Sequence, residues 1–147
     1  MAPGFRVCGT AFTVRGSGTD NLWLHRAMLA AKLGDVLLAY VSGIYEAGYW
    51  GEIMSTGAKA AKLAGLVIDG CVRDGELLPV IGFLVFARGL CIRGTGKDFG
   101  AQGWLGAPVM IGDVVVKAGD LIVGDMDGVV AIPREQAEAA VKASGLR

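Results

Sequence analysis

The 147-residue sequence predicts an α/β fold in which helices flank a mixed β-sheet. Short apolar runs of strand length alternate with longer Ala- and Leu-rich segments of helical character, as in strand–helix–strand units. The runs at 35–40 and 66–69 are almost wholly apolar, which is typical of strands that are covered on both faces of a sheet. A helix between two such strands predicts a parallel pair with a right-handed crossover.

Length and composition predict one domain over residues 1–147. Lys plus Arg and Asp plus Glu number 14 each, so no net charge attracts nucleic acid or a membrane surface. Hydrophobic residues make up 53% of the chain. This fraction is high for so short a chain, and it favours an oligomer with apolar subunit interfaces.

Targeting and redox features predict a cytoplasmic protein. No apolar run is long enough to cross a membrane, and the N-terminus lacks the charged and apolar regions of a signal peptide. Cys8, Cys71 and Cys91 are widely spaced and form no CxxC pair. We therefore expect reduced, mostly buried thiols rather than disulfides or a cysteine metal site.

The first elements are a strand and a helix. Residues 5–14 alternate apolar with small or polar side chains and are rich in β-branched residues, which predicts a strand. Asp20 or Asn21 is placed to cap a helix at 22–33. Gly34 is predicted to end that helix, because glycine readily adopts the left-handed conformation that follows many helices.

The middle of the chain carries a Gly-rich, aromatic loop at 42–51. Such a loop allows the backbone to approach a ligand closely. The Ala-rich residues 52–63 then predict a helix. Gly65 restarts the chain as the central strand at 66–69.

The second half is richer in turns. Residues 76–81 predict a short turn or half-helix that Pro79 breaks, and 83–87 predict another buried strand. Residues 88–106 are Gly-rich and predicted to be irregular. The remaining predicted strands span 108–116, 121–124 and 128–132, with a turn at 117–120 and, after Pro133 at a first helical position, a helix at 134–144.

Arg73 and Asp74 directly follow the central strand and are the leading candidates for chemistry. A guanidinium binds a carboxylate through a bidentate fork, and a hard cation such as Mg²⁺ prefers a carboxylate plus several waters. A 2-oxo acid needs both, one for its carboxylate and one for its keto oxygen. From these two residues alone, the alternative is a surface Arg-Asp pair in a turn.

Glu52 opens the helix that precedes the central strand. A crossover unit brings a helix start and the carboxyl end of the next strand to the same edge of the sheet. Backbone N–H groups at 51–54 are therefore placed to bind an anion, while Glu52 reaches a metal through water. Alternatively, Glu52 complements the helix dipole, which contributes about 0.3–1 kcal/mol. The two interpretations are compatible with each other.

Glu52, twenty intervening residues and Arg73-Asp74 are similar to the D-x20-R-D pattern of the class II pyruvate aldolases. Those enzymes cleave 4-hydroxy-4-methyl-2-oxoglutarate and 4-carboxy-4-hydroxy-2-oxoadipate. The chain also resembles their relative, the regulator of ribonuclease activity A (RraA). The segments that carry the resemblance are GTAFTV at 9–14, DNL at 20–22 with His25, GDVL at 34–37, WGE at 50–52, VIDGCVRD at 67–74, APV at 107–109, AGDL at 118–121 and DMDGVV at 125–130.

The resemblance covers nearly the whole chain and implies a single RraA-like domain with a swivelling β/β/α sandwich. It implies assembly as a homotrimer, often paired into a hexamer, with active sites at subunit junctions. The family usually has an upstream helical segment, which we expect to be absent because the chain begins at the first strand. Some members take a carboxylate from a neighbouring C-terminal segment; here Glu135 and Glu138 are interpreted instead as exposed helix charges.

The resemblance also implies roles for the site residues. Asp74 would bind Mg²⁺ or Mn²⁺, and Glu52 would replace the family's water-mediated aspartate with a side chain one methylene longer. Arg73 would hold the substrate, while Gly51, Glu52 and the amides near Ile53 and Met54 would meet the pyruvate carboxylate. Arg73, Asp74 and Glu52 would form the catalytic set.

The implied reaction is retro-aldol cleavage of a 4-hydroxy-2-oxo diacid into pyruvate and a second 2-oxo acid, with oxaloacetate decarboxylation as a side activity. The alternative is a non-catalytic RraA-type regulator that binds an endoribonuclease. Related sequences have been labelled menaquinone methyltransferases, but no strand-linked Gly-rich motif for S-adenosylmethionine is present in this sequence.

Other polar residues are weaker candidates. His25, the one histidine, is predicted to be a hydrogen-bonded helix residue rather than a catalytic base. Asp69 is predicted to stabilise the turn at Gly70 or to lie near the metal. Asp125 and Asp127 indicate a turn rather than a calcium site, because the rest of an EF-hand loop is missing.

The Gly-rich residues 94–97 do not form a P-loop, because Lys97 does not follow the required glycine frame. Lys97 remains a candidate for attracting a distal carboxylate of the substrate. Trp23, Trp50 and Trp104 are predicted to pack in the core or to line a pocket or interface.

Overall fold

The computed structural model describes residues 5–145. Residues 1–4 and 146–147 lie outside the described residues. The prediction that the N-terminus carries no signal peptide falls partly on residues 1–4. The strands are β1 (Val7–Arg15), β2 (Asp35–Tyr40), β3 (Gly65–Asp69), β4 (Cys71–Val72), β5 (Leu84–Phe86), β6 (Gly89–Leu90), β7 (Trp104–Leu105), β8 (Val109–Ile111), β9 (Val114–Val116), β10 (Leu121–Asp125) and β11 (Gly128–Ile132). The helices are α1 (Leu22–Ala30), α2 (Glu52–Ala60), α3 (Leu78–Ile81) and α4 (Arg134–Ala143).

The main sheet has the strand order β11-β10-β1-β2-β3-β5, with β7 also paired to β1. Strands β1, β2, β3 and β5 run parallel, whereas β10 and β11 are antiparallel to their neighbours. This arrangement confirms the predicted mixed sheet, including the parallel pair β2–β3. In that pair Tyr40 lies opposite Asp69, so both strands end at the same edge.

The two faces of the sheet are covered by different elements, as expected for strands whose central residues are all apolar. Leu37, Ala39 and Ile68 face the side on which α1 and α2 pack. Val36, Leu38 and Val67 face the other side, which the hairpin of β8 and β9 covers through Val109 and Val116. Hairpin, sheet and helices thus form three layers, as predicted for a β/β/α sandwich. Each fully buried aliphatic side chain contributes about 1.5–3 kcal/mol to the free energy of unfolding.

The predicted single strand at 108–116 is wrong, because the chain reverses in its middle. Gly112 adopts a φ of 61°, a left-handed conformation that suits a tight turn. The halves on either side, β8 and β9, pair antiparallel with each other. The predicted turn at 117–120 therefore joins this hairpin to β10 of the main sheet.

Two predicted helix ends are also wrong. Helix α1 ends at Ala30, and Ala31 is extended with a ψ of 155°. The Asp35 carboxylate accepts the Lys32 N–H at 2.9 Å, so a side-chain turn replaces the last helical turn before β2. Helix α2 ends at Ala60, because Lys62 turns into the left-handed region with a φ of 59°.

The remaining differences are local. Pro79 lies in the first turn of α3, where the missing N–H costs little, and does not break the helix. Strand β5 is half-buried rather than buried, because it pairs only with β3. Pro133 is the extended N-cap residue of α4 and not its first helical residue. Residues 88–106 are largely irregular but contain β6 and β7.

Within residues 5–145 the helices are all too short or too polar to cross a membrane.

Candidate functional site

The segment that follows β3 is held between two loops. On one side, the Arg73 N–H donates to the Trp50 carbonyl at 2.8 Å, and the Tyr49 N–H donates to the Cys71 carbonyl at 3.1 Å. On the other side, the Cys91 N–H donates to the Val72 carbonyl at 2.9 Å. These non-local bonds place the segment from 71 to 74 beside the start of α2, as the crossover argument predicts.

Gly51 is the point at which the predicted site residues meet. A Cβ built on this glycine would overlap the Asp74 carboxylate. It would also lie 3.1 Å from Arg73 Cγ and 3.3 Å from Arg73 Nε. The guanidinium arm and the carboxylate therefore both rest against one Cα that carries no side chain. The absent Cβ is what allows a cation and an anion from adjacent residues to approach the same helix start.

Asp74 is tied to that helix start. Its Oδ2 accepts the Glu52 N–H at 2.8 Å, so this carboxylate satisfies a donor that has no partner within α2. Asp74 also adopts a φ of 63°. A positive φ is unfavourable for most side chains and is accepted more readily by Asp, Asn and Gly. The surrounding structure holds this conformation, as is common at functional sites.

The N-terminus of α2 leaves further donors open. The Ser55 N–H donates to the Gly51 carbonyl at 3.0 Å. The N–H groups of Ile53 and Met54 precede the first intrahelical bond, and within residues 5–145 they have no hydrogen-bond acceptor. The side chains of Glu52 and Ile53 are exposed, whereas that of Met54 is buried. This helix start is therefore suited to an anion such as a carboxylate.

An open cleft of about 420 Å³ lies beside this arrangement. Arg73, Asp74 and Glu76 contribute charged groups to its lining. Its apolar wall, which was not predicted from the sequence, is formed by Leu77, Leu90 and Ile92. No local sequence signal indicates this wall, because it depends on the pairing of β4 with the distant β6.

The predicted metal ligands Asp74 and Glu52 are joined through the Glu52 backbone N–H. Among residues 5–145 no three His, Cys, Asp or Glu side chains gather closely enough to hold a metal ion. Mg²⁺ retains several waters and is often bound through only one or two carboxylates together with its substrate. Oδ1 of Asp74 is not engaged in the Glu52 contact, and the side chain of Glu52, whose N–H makes that contact, is exposed. A hydrated divalent cation therefore fits this donor set.

Asp69 is a structural residue rather than a free metal ligand. One carboxylate oxygen forms an ion pair with Arg88 Nε, and the other accepts the Gly112 N–H at 3.2 Å. Arg88 stacks on the Tyr45 ring at 3.8 Å from its centroid. The pKa of Arg88 is raised, mainly by its hydrogen bond to Asp69. Asp69 thus joins the end of β3 to the β8–β9 hairpin and not only to the turn at Gly70.

The thiols are free, but they are less buried than predicted: Cys8 is exposed, and Cys71 and Cys91 are half-buried. The pKa of Cys71 is raised, first by burial and then by the nearby Cys91 and Glu46, while Arg88 lowers it. These causes favour the neutral thiol over the reactive thiolate.

His25 has a pKa below its ordinary value of 6.5, first because of burial and then because of the positive charge of Lys97. Both causes favour the neutral imidazole. Lys97 therefore lies near α1, and it does not line the cleft beside Asp74. The adjacent Gly96 N–H donates to the Thr19 carbonyl at 2.9 Å, which fixes this loop to the start of α1.

The start of α1 uses both predicted capping residues, though in different ways. Asp20 Oδ1 accepts the Leu22 N–H at 2.9 Å. Asn21 occupies the N-cap position, but its side chain instead donates to the Tyr49 carbonyl at 3.2 Å. Its Oδ1 is buried without a hydrogen-bond partner among the described residues.

The acidic pairs far from β3 have structural roles. The Asp127 N–H donates to Asp125 Oδ1 at 2.8 Å, which confirms the predicted turn. Glu135 and Glu138 are exposed on α4, as predicted, and Glu138 pairs with Lys142 at 3.4 Å.

The three tryptophans differ in burial. Trp50 is fully buried, donates from Nε1 to Ser55 Oγ at 2.7 Å and stacks on Phe83. Trp23 donates to the Ala101 carbonyl at 3.0 Å. Trp104 is 41% exposed. Trp50 therefore lies in the core, and Trp23 is partly buried and packs against it.

Comparison with known proteins places this geometry in context. The family model described as RraA-like, Aldolase/RraA, matches residues 1–131. A protein from Halalkalibacterium halodurans named "Putative 4-hydroxy-4-methyl-2-oxoglutarate aldolase" is 37% identical over 133 residues. The alignment covers 90% of this chain and 62% of that relative, so the chain spans less than two thirds of the relative's length.

Solved structures show the same fold. The RNA-processing inhibitor RraA from Thermus thermophilis superposes with a TM-score of 0.80 at 25% identity, covering 88% of this chain and 77% of that one. An unusual member of the RNase ES inhibitor RraA protein family from Streptomyces coelicolor gives a TM-score of 0.82 at 27% identity. That match covers 99% of this chain and 74% of the other.

Proposed function

We propose that this chain, which belongs to the RraA-like family, is a divalent-metal-dependent lyase. The reaction is retro-aldol cleavage of a 4-hydroxy-2-oxo acid, which releases pyruvate and a second carbonyl compound. The name of the Halalkalibacterium halodurans relative supports an aldolase of this kind. Decarboxylation of oxaloacetate is a second reaction of the same site, because it passes through the same pyruvate enolate.

The observation that carries the proposal is the convergence at Gly51. Arg73 and Asp74 both lie against this residue, and Asp74 contacts the Glu52 N–H at 2.8 Å. A surface Arg-Asp pair in an unrelated turn would not need a glycine beneath it or a helix start beside it. Guanidinium, carboxylate and open amide groups are the functional groups that recognition of a 2-oxo acid requires.

Substrate binding and metal binding are assigned to different residues of the site. The Arg73 guanidinium and the free N–H groups of Ile53 and Met54 bind and orient the substrate's 1-carboxylate. Asp74, with Glu52 acting through water, would hold Mg²⁺ or Mn²⁺. The bound metal would supply a Lewis acid that stabilises negative charge developing on the 2-oxo oxygen.

Cleavage also requires removal of the proton from the C4 hydroxyl group. A water oriented by Glu52 accepts the proton of the C4 hydroxyl, and the C4–O bond becomes a carbonyl as the C3–C4 bond breaks. The electron pair of that bond passes into the enolate of pyruvate. The protonated water, or bulk solvent in exchange with it, then gives a proton to C3 of the enolate, which completes the release of pyruvate.

The decisive experiment measures pyruvate formation from 4-hydroxy-2-oxo acids and from oxaloacetate. The protein is assayed with Mg²⁺, with Mn²⁺ and after treatment with a chelator. We expect metal-dependent release that chelation abolishes and metal restores. Absence of pyruvate from every substrate under all three conditions would refute the proposal.

A second candidate is a non-catalytic regulator that binds an endoribonuclease. The similarity to the Thermus thermophilis RNA-processing inhibitor supports it. Co-purification with an endoribonuclease, together with no metal affinity and no turnover, would favour this candidate. Metal-dependent turnover that is insensitive to an added endoribonuclease would favour the lyase.

Assembly as a homotrimer or hexamer is part of either proposal. It is supported by an apolar groove of about 570 Å³ at the open edge of β5. Phe5, Val72, Leu78, Phe83 and Phe86 are among the residues that line this groove. A monomeric mass by light scattering at micromolar concentration would contradict the proposed assembly.

A further inference from the structure

We infer that the cleft beside Arg73 and Asp74 receives the distal end of the substrate as an uncharged, apolar group. The favoured substrate would then be a 4-hydroxy-2-oxo monoacid with an alkyl group on C4, rather than the diacid that the family resemblance implies. This inference rests on the proposed lyase function and narrows its substrate class.

The first observation is the apolar wall of the cleft. Leu77, Leu90 and Ile92 line it and are 44%, 68% and 91% exposed. Three large aliphatic side chains at one open cleft are unusual on a protein surface unless they contact something apolar. Their position beside the charged residues places that apolar contact within reach of a bound 2-oxo acid.

The second observation is that the wall is built onto the site. A Cβ on Gly75 would lie 2.7 Å from Leu90 Cδ1, so Leu90 packs over the residue that follows Asp74. The Leu77 N–H donates to the Asp74 carbonyl at 2.9 Å. Ile92 follows Cys91, whose N–H is bonded to the Val72 carbonyl. The wall and the charged residues therefore share one backbone framework.

The third observation is the charge of the lining. Arg73 is the only cation among the described residues that line the cleft, and the proposed function assigns it to the 1-carboxylate. The other ionisable groups there are Asp74, Glu76 and Cys91. Among the described residues of this chain, a second substrate carboxylate would meet Glu76 and three aliphatic side chains but no further cation. An alkyl group would instead bury its apolar surface against the wall, which is favourable.

The test compares two substrates of matched shape. 4-Hydroxy-2-oxoglutarate ends in a carboxylate, whereas 4-hydroxy-5-methyl-2-oxohexanoate carries an isopropyl group of the same branching in its place. Cleavage releases pyruvate from both, with glyoxylate from the first and 2-methylpropanal from the second. We expect kcat/KM to favour the monoacid by about tenfold or more.

A cation placed on the wall should weaken this preference. Ile92→Lys adds an ammonium group at a side chain that is 91% exposed, so the fold should tolerate it. We expect the monoacid-to-diacid ratio of kcat/KM to fall about two- to fivefold, an effect that high salt weakens. The matched control is Val130→Lys, on β11 at the opposite end of the sheet and 60% exposed, which should leave the ratio unchanged.

Binding without turnover gives an independent readout. Calorimetry with 2-oxoglutarate and 5-methyl-2-oxohexanoate, neither of which has a 4-hydroxyl group to cleave, should show tighter binding of the monoacid. Ile92→Lys should narrow that difference.

The outcomes separate the two proposals. A wild-type preference for the diacid, or an unchanged ratio in Ile92→Lys, overturns the inference but leaves the lyase intact. An altered oligomeric mass in Ile92→Lys with an unchanged ratio would assign the wall to a subunit interface and also overturns the inference. No pyruvate from either substrate refutes the proposed function itself.

Discussion

The Asp74 carboxylate accepts the backbone N–H of Glu52 at 2.8 Å, so the two acidic residues predicted for the site meet where α2 begins. One contact serves two purposes. It satisfies an open donor of the helix, and it holds a carboxylate beside the donors that would bind a substrate. The structure and the chemistry of the site are therefore linked through Asp74.

Replacing Asp74 with Asn should separate these two purposes. Asparagine tolerates the φ of 63°, and its amide oxygen still accepts the Glu52 N–H. We expect the free energy of unfolding to change by less than about 1 kcal/mol. Pyruvate release with Mg²⁺ should fall roughly 100-fold or more, because the proposed metal ligand loses its charge.

A coupled assay for pyruvate and a thermal denaturation curve measure both effects. The matched control is Asp113→Asn in the exposed turn between β8 and β9, which should leave both unchanged. Full activity in Asp74→Asn would remove Asp74 from the proposed metal site.

Gly51→Ala should damage activity more than stability. The new Cβ would overlap the Asp74 carboxylate, which would have to move away from the helix start. Displacement of about 1 Å at a catalytic group can cost roughly 100-fold in rate. The loss of stability should be near 1 kcal/mol, because a side-chain end rather than the backbone moves.

Gly57→Ala in the same helix is the control. Its Cβ would meet Met28 at an ordinary distance of 3.5 Å, and alanine in place of a helical glycine should stabilise the protein by about 0.5–1 kcal/mol. Steady-state kinetics and chemical denaturation distinguish the two variants. Equal activity in both would contradict the role assigned to Gly51.

Arg73→Lys should weaken substrate binding while keeping the charge. Lysine cannot form the bidentate fork with a carboxylate, so we expect KM to rise about tenfold. Stability should change little, since Arg73 contacts Gly48 and Gly51 mainly through its aliphatic stem and Nε. The control is Arg6→Lys at an exposed position before β1. An unchanged KM in Arg73→Lys would indicate that Arg73 does not hold the substrate.

The lowered pKa of His25 predicts a pH-dependent stability. In the unfolded chain the imidazole binds a proton near its ordinary pKa of 6.5, whereas in the folded protein burial and Lys97 oppose protonation. The unfolded state thus binds more protons as the pH falls through that range. The contribution to stability is full above the ordinary pKa, decreases as the pH falls towards the lowered pKa, and is absent below it.

Denaturation curves between about pH 7.5 and pH 5 should show this decrease in the wild type. His25→Gln should remove this component of the pH dependence, and Lys97→Gln should reduce it by raising the pKa of His25. NMR titration of His25 measures that pKa directly. A pKa at or above the ordinary value would contradict the prediction.

The proximity of the candidate site residues was predictable because its main determinants are local. A strand, a Gly-rich loop, a helix and a second strand bring Glu52 to Arg73 and Asp74 through the known geometry of a crossover. The cleft wall was not predictable in the same way. Leu90 and Ile92 reach the site through the pairing of β4 with β6, and no turn motif links those strands.

The β8–β9 hairpin shows a different cause of error. Gly112 and Asp113 lie between two apolar runs of three residues, which is a turn signal of the hairpin type. Each run is too short to be distinctive, so the continuous apolar character of 108–116 dominated the prediction. Hydrophobicity predicted the burial of Val109 and Val116 but not the direction of the chain between them.

The left-handed backbone at Asp74 bears on how this protein can change over evolutionary time. Asparagine and glycine suit that conformation as well as aspartate does, so a single substitution can remove the carboxylate at little cost to folding. Natural selection for a folded protein alone would not preserve the acid. A lineage with this backbone could therefore lose catalysis and keep its fold. The presence or absence of aspartate at position 74 would then indicate whether the proposed catalysis was retained.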